Sequence, residues 1–258
     1  MKIIRTISEL NHEIALKKKG GDKIGFVPTM GALHAGHLSL VECARKHSSC
    51  IVVSIFVNPT QFAPHEDFDS YPRQEQSDAA KLEQARVDIL FIPTEEELYP
   101  DGMGCDIKTG EAAQGLEAIF RPTHFNGVVN VVSRLLNAVK PNIAIFGEKD
   151  FQQLQVIKEM NQALKLPITI LGAPILRDEH GLALSSRNAY LSSAEMGIAR
   201  EFNKVLRHAA ETKNLESAKN ELLSLGFDKV DYIEVRWNRV LGAAWLGKTR
   251  LIDNMPIE

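Results

Sequence analysis

Two histidines stand three residues apart in a glycine-bearing turn, within Gly25-Phe26-Val27-Pro28-Thr29-Met30-Gly31-Ala32-Leu33-His34-Ala35-Gly36-His37-Leu38. An apolar run ends there, a turn follows, and a helical pattern begins. In an open parallel sheet, ligands bind beyond the carboxyl ends of the strands. A helix N-terminus carries free N–H groups and partial positive charge, so this turn suits an anion. Gly31 and Gly36 let the backbone approach a phosphate closely, and His34 and His37 put two imidazoles on one side of the incipient helix. The spacing Gly31-x4-Gly36 is that of a P-loop, but His37-Leu38 stands where Lys-Ser/Thr is required, so that reading fails. The chain also has no GxGxxG. The simpler alternatives are two surface histidines on a turn, or a zinc-binding pair with no third ligand evident from spacing.

Other segments carry chemistry of the same kind. In Val53-Ser54-Ile55-Phe56-Val57-Asn58-Pro59-Thr60-Gln61-Phe62, a strand ends at an Asn-Pro turn that presents Gln61. A glutamine amide both donates and accepts, so it suits a small hydroxy acid, or it is a polar loop amide. In Phe146-Gly147-Glu148-Lys149-Asp150-Phe151-Gln152-Gln153, a second strand feeds a glycine turn and a helix. Asp150 reads as its N-cap and Lys149 as a phosphate or ribose contact. The alternative is a capped helix with an exposed lysine. In Leu182-Ala183-Leu184-Ser185-Ser186-Arg187-Asn188, two hydroxyls and a guanidinium suit a triphosphate. Tyr71-Pro72-Arg73 is a loop anchor or a site, and Arg121-Pro122-Thr123-His124-Phe125-Asn126-Gly127 caps the next helix or shapes a pocket.

His34-Ala35-Gly36-His37 resembles the HxGH signature of the nucleotidylyl-transferase superfamily, and Pro28 to His37 as a whole resembles the pantothenate synthetase family. The other segments match that family in the same order, and the resemblance runs to Ala244-Trp245-Leu246-Gly247-Lys248-Thr249-Arg250-Leu251-Ile252-Asp253-Asn254. It implies ATP-dependent condensation of (R)-pantoate with β-alanine through a pantoyl-adenylate, giving pantothenate, AMP and pyrophosphate. It places ATP at Met30, Gly31, Ala32, Leu33, His34, Ala35, Gly36 and His37, at Gly147, Glu148, Lys149 and Asp150, and at Leu176, Leu184, Ser185, Ser186 and Arg187. It places pantoate at Gln61 and Gln153, and β-alanine at Gln61. His37, His34, Lys149 and Arg187 are the expected catalytic residues, His37 as a proton donor or as a pure hydrogen-bond donor. The Ser185–Arg187 segment resembles the superfamily's mobile phosphate loop, expected to close over ATP as the smaller domain moves.

The resemblance further implies Mg²⁺ brought with ATP and a homodimer, and the sparse cysteines fit a reducing cytoplasm. The ion is expected to be held largely by phosphate oxygens and water; the sequence identifies no protein ligand for it, and Asp78 is no more than a guess. Two departures from the family are visible. Thr60 stands where members carry an apolar residue, and the chain is short between Val235 and Ala243. Rival functions are a nucleotidyltransferase that leaves the nucleotide on its product, and a non-catalytic nucleotide-binding module.

Elements must hold these segments in place. Short apolar runs at Ile24–Val27, Ile51–Val57, Ile89–Ile92, Ile143–Phe146 and Ile168–Leu171 read as buried parallel strands. Helical patterns lie between them: from a Ser8 cap to Gly20-Gly21, then Leu38–Lys46, Ser77–Ala85, Val128–Val139 and Phe151–Leu164. Five strands with helical crossovers imply a doubly wound, Rossmann-like α/β domain over residues 1–174, which the resemblance makes the ATP- and pantoate-binding domain. Residues 175–258 read as a smaller α+β domain with the phosphate loop near its start. There, Ser192-Ser193-Ala194-Glu195 is a capping box for a helix through about Ala210. A helix over Leu215–Leu225 follows, and then strands at Val230–Val235 and Leu251–Asp253.

The bulk composition is ordinary for a folded soluble protein. Of 258 residues, 44% are hydrophobic and 24% charged, with a formal net charge of -3. That charge provides no global field for nucleic acid. Lys17-Lys18-Lys19 reads as the solvated C-terminal end of a helix. Cys43, Cys50 and Cys105 form no CxxC pair, so a disulfide framework is not expected. No long apolar stretch follows Met1-Lys2-Ile3-Ile4, so neither a secretory signal nor a membrane span is expected.

Overall fold

The computed structural model describes residues 1–63, 66 and 68–257. It divides into two compact units. The first takes residues 1–148 and 152–173, and the second takes residues 149–151 and 174–258.

The first unit runs β1 (Lys2–Ile4), α1 (Ile7–Lys19), β2 (Ile24–Thr29), α2 (Ala35–Arg45), β3 (Cys50–Ile55), α3 (Glu75–Gln84) and β4 (Ile89–Phe91). Short helices α4 (Glu95–Leu98) and α5 (Glu117–Phe120) precede α6 (His124–Val139), β5 (Ile143–Gly147), α7 (Phe151–Ala163) and β6 (Thr169–Ala173). All six strands pair in parallel, in the order β1-β4-β3-β2-β5-β6. β2 and β3 are buried almost throughout, which explains why they read as unbroken apolar runs rather than alternating ones. Val27, Ile51, Val53, Leu90 and Ile145 form the centre of one core cluster.

The strand order locates the crevice. From β2 the chain crosses through α2 to β3 on one side, while β5 pairs β2 on the other. The carboxyl ends of β2 and β5 are therefore the topological switch point, where open sheets of this class bind ligands. The turn with the two histidines leaves β2 there, and the turn beginning at Gly147 leaves β5.

The second unit contains α8 (Ser193–Ala199), α9 (Phe202–Thr212), α10 (Leu215–Ser224) and the antiparallel meander β7 (Lys229–Arg236), β8 (Arg239–Leu246) and β9 (Thr249–Pro256). Phe202, Val205, Leu206 and Ala209 form the apolar stripe of α9 and are buried in this unit's own core. Gly242 on β8 allows that close approach, because a Cβ there would meet Leu206 Cδ2 at 2.8 Å.

The structure corrects several expected elements. β1 escapes the sequence pattern; it is a three-residue edge strand with two exposed positions, too short to show a period. The cap of α1 is Thr6, whose side chain accepts from Glu9 N, rather than Ser8. The Ser192–Glu195 capping box forms, but its helix ends at Ala199 and α9 starts afresh at Phe202. β8 is a further strand that the pattern does not announce. It lies in the region that is short relative to the family, where β7 and β8 meet through a two-residue turn. Trp237 (φ 52°) and Asn238 (φ 55°) are both left-handed in it, the geometry whose twist matches a tight hairpin.

Candidate active site

The turn after β2 is held from below. Thr29 Oγ1 donates to Ser54 O on β3 at 2.8 Å and accepts from Gly31 N at 3.2 Å. Gly31 (φ 85°) and Ala32 (φ 49°) then take left-handed conformations in succession. Ala32 carries a steric penalty in that region that glycine does not. The buried carboxylate of Asp78, on α3, holds the turn there. Its Oδ2 accepts from Ala32 N and its Oδ1 from Leu33 N, each at 2.8 Å. Lys81 Nζ donates to Leu33 O at 2.7 Å and lies 3.6 Å from Asp78 Oδ1. Asp78 is thus part of the turn's scaffold. Its bond to Ala32 spans 46 positions of chain, so no local pattern could reveal it.

The two histidines cap α2 reciprocally. His34 is the N-cap residue in extended conformation, and its Nδ1 accepts from Gly36 N at 3.1 Å. His37 Nδ1 accepts from His34 N at 3.3 Å. The imidazole rings lie 4.1 Å apart between centroids. This is the logic of a capping box, with imidazoles in place of the usual hydroxyl and carboxylate. A nitrogen that accepts from a backbone N–H carries no proton of its own, so Nε2 bears the hydrogen on each neutral ring. Capping therefore uses the Nδ1 edge of each ring.

Gln61 lies at the end of a single 3-10 turn, Pro59–Gln61, after β3. Its Nε2 is 3.0 Å from Met30 Sδ, which brings it to the histidine turn. Its loop is braced by Asn58, which is almost fully buried. Asn58 Nδ2 donates to Gly127 O and to Gln61 Oε1, and Asn58 Oδ1 accepts from Tyr99 OH at 2.7 Å. Thr60 Oγ1 also donates to Asn58 Oδ1, at 3.0 Å, so the hydroxyl that departs from the family pattern is absorbed into this brace.

The Arg121–Gly127 segment grips the same loop. Arg121 makes a two-point ion pair with Glu66 at 2.6 and 2.8 Å and donates to Gln61 O at 3.4 Å. His124 Nδ1 lies 3.0 Å from Gln61 O, which can only accept, so Nδ1 carries the proton. Burial, with Arg121 nearby, pushes the His124 pKa down to about 4, so the ring is neutral at ordinary pH. Burial alone would raise the Glu66 carboxyl, but the Arg121 pair outweighs it and holds that group below its ordinary range.

After β5 the chain makes a 3-10 turn, Glu148–Asp150, that runs directly into α7. Gly147 faces α2, where a Cβ would stand 3.9 Å from Leu40 Cδ2. Lys149 Nζ lies 3.7 Å from Asp150 Oδ2. Gln152 is buried, and its amide ties down residues 112–117 through Ala112 O, Gly115 O and Glu117 N. Its neighbour Gln153 is partly exposed. Of the two adjacent glutamines, the buried one is committed to the loop.

In the second unit, residues 176–184 form a narrow hairpin. Leu184 N donates to Leu176 O, Asp178 N to Leu182 O, and Arg177 bridges Ala183. Leu176 and Leu184, both expected ATP contacts, are thereby paired. Ser185 caps the following 3-10 turn Ser186–Tyr190 by accepting from Arg187 N at 3.3 Å. Arg177 anchors the hairpin base to buried Asp253 through two bonds of 2.6 and 2.9 Å. Among the described residues, no cluster of three or more histidine, cysteine or acidic side chains forms a metal cage.

The family model for pantoate-beta-alanine ligase matches residues 2–256. The pantothenate synthetase of Mesorhizobium japonicum is 46% identical over 275 aligned positions, covering 99% of this chain and 97% of that one. The crystal structure of pantothenate synthetase from Thermus thermophilus superposes with a TM-score of 0.91 at 39% identity, covering 100% of this chain and 99% of that one. A pantoate-beta-alanine ligase from Francisella tularensis, complexed with beta-gamma ATP and beta-alanine, gives a TM-score of 0.90 at 41% identity, covering 99% and 97%.

Proposed function

The chain belongs to the pantoate-beta-alanine ligase family, and from that premise we propose how its residues carry out the ATP-dependent joining of pantoate to β-alanine. A pantoate carboxylate oxygen attacks the α-phosphorus of ATP, the bond to the β-phosphate breaks, and pyrophosphate leaves. The β-alanine amine then attacks the acyl carbon of pantoyl-adenylate, loses a proton, and expels AMP as pantothenate forms. The carboxylate is already ionised at neutral pH, so the first step needs no strong base. Its barrier is one of alignment and charge.

The observation that carries this reading is the reciprocal histidine cap at the switch point, with the Gln61 amide against Met30. His34 and His37 donate their Nε2 hydrogens to the phosphates, and their Nδ1 atoms keep the helix capped. Protonating Nδ1 would break the cap. His37 therefore acts as a hydrogen-bond donor rather than as the source of a transferred proton. Gln61 holds pantoate and then β-alanine, and Gln153 holds pantoate. Met30 to His37, Gly147 to Asp150, and Leu176 with Leu184 to Arg187 make up the ATP contacts, with Lys149 and Arg187 offsetting phosphate charge. Residues 1–174 form the ATP- and pantoate-binding domain and residues 175–258 the smaller one.

Mg²⁺ accompanies the nucleotide. Asp78 bonds the backbone of Ala32 and Leu33, and phosphate oxygens and water would hold the ion. The protein works in the cytoplasm, a reading supported by its sparse cysteines, which form no CxxC pair. Among the described residues, no helix is long and apolar enough to cross a membrane.

The deciding experiment supplies ATP, Mg²⁺, pantoate and β-alanine and follows α-labelled nucleotide. Free AMP with equimolar pantothenate is expected. A nucleotide retained on the product, or ATP binding with no pantoate-dependent pyrophosphate, rules the ligase out.

A further inference from the structure

We propose that the adjacent pair Asp253-Asn254 on β9 is a positioning clamp that sets Lys149 and the Leu176–Arg187 segment in one frame. The inference rests on the ligase reading above, which gives both elements to ATP. Residues 149–151 group with the second unit rather than with the strand that precedes them, and their contacts show why. Asn254 is almost fully buried, and its Nδ2 donates to Lys149 O at 3.1 Å. Its Oδ1 accepts from Arg239 Nε at 2.6 Å. Arg239 in turn lies over the Phe151 ring, 4.5 Å from its centroid, and Trp237 at the hairpin tip meets the same ring at 6.1 Å. The backbone of Lys149 and the side chain two residues later are thus both held by the meander.

The neighbouring residue holds the other element. Asp253 is buried, and its two oxygens receive both terminal nitrogens of Arg177. Arg177 Nη1 also donates to Gly181 O at 3.0 Å, and Nη2 to Asn254 O at 3.4 Å. The hairpin that leads into Ser185–Arg187 is therefore pinned at its base to the same two residues of β9. Consecutive residues on a strand point to opposite faces, so one dipeptide can hold two elements at once. A displacement of about 1 Å at a reacting group can cost on the order of 10²-fold in rate. A buried amide bonding the carbonyl of Lys149 is placed to prevent that displacement. Asn254 touches no reacting atom in this scheme; it acts through Lys149.

The test separates the half-reactions. Asn254→Asp keeps the acceptor for Arg239 but loses the donor to Lys149 O. It is expected to slow pantoate-dependent ATP–pyrophosphate exchange by roughly 10-fold or more with the KM for pantoate unchanged. Capture of preformed pantoyl-adenylate by β-alanine should stay within about twofold, because pyrophosphate has already left. Equal loss in both half-reactions, or no loss in either, overturns the clamp. Asn254→Ser serves if the aspartate variant fails to fold, with the same two outcomes. A wild-type protein that forms no adenylate sinks the ligase reading instead. The clamp is then judged by hydrogen exchange, where faster exchange over residues 149–155 in Asn254→Asp is expected and unchanged exchange overturns it.

Discussion

At His37, Nδ1 accepts from His34 N and so leaves the hydrogen of the neutral ring on Nε2, the donor in the proposed scheme. Removing the ring removes both contributions. His37→Ala is expected to slow adenylate formation by about 10²-fold or more, the scale of one preorganised donor, and to cost about 1 kcal/mol of stability through the lost cap. Pyrophosphate exchange and urea unfolding measure the two; near-normal exchange would leave His37 with a structural role alone. His124 makes a different residue-scale prediction. Its pKa in the fold is about 4, against an ordinary 6.5. Between those values the unfolded chain binds a proton that the folded chain does not. Stability from this group is therefore complete above pH 6.5 and is lost as pH falls through that window, by up to about 3 kcal/mol. Unfolding free energies compared at about pH 7 and about pH 4.5, on either side of most of that window, should differ less in His124→Gln than in the wild type.

The elements succeed or fail by close approach. The first turn of α6 lies so near the Pro59–Gln61 turn that a Cβ on Gly127 would stand 2.2 Å from Thr60 O and 2.6 Å from Gln61 Cα. Backbone cannot yield as a side-chain end can. Gly127→Ala is expected to cost roughly 1–3 kcal/mol and, by displacing Gln61, to raise the KM for pantoate more than it lowers kcat. Thermal unfolding with steady-state rates checks both, and an unchanged KM would detach Gln61 from pantoate. The α3 helix acts on the histidine turn by hydrogen bonds instead. Asp78→Ala leaves the N–H groups of Ala32 and Leu33 without their acceptor, and is expected to destabilise the protein by about 2–4 kcal/mol. A denaturant midpoint matching the wild type would refute that.

At the scale of the whole molecule, the family resemblance predicts a homodimer, sedimenting at about twice the 28.7 kDa of one chain; a monomer at working concentration would remove that expectation. Most of the doubly wound fold is legible in the chain because its signals are local. Buried parallel strands leave continuous apolar runs, and a strand–glycine–helix turn leaves its residues adjacent, so the histidine and Gly147–Asp150 segments are plain to read. β1 and β8 are not. A three-residue edge strand has no period, and β8 carries the run Gly242-Ala243-Ala244 at its centre, where small residues blur any alternation. The linear order of residues was thus enough for the family, the succession of most elements and the residue types expected to meet ATP and pantoate. It took the folded chain to establish which nitrogen of each histidine caps the helix, that Asp78 serves the turn, and that Asn254 reaches Lys149 across 105 positions of chain. The long-range bonds among these join groups far apart in sequence, and their partners are chosen by packing rather than by any spacing along the chain.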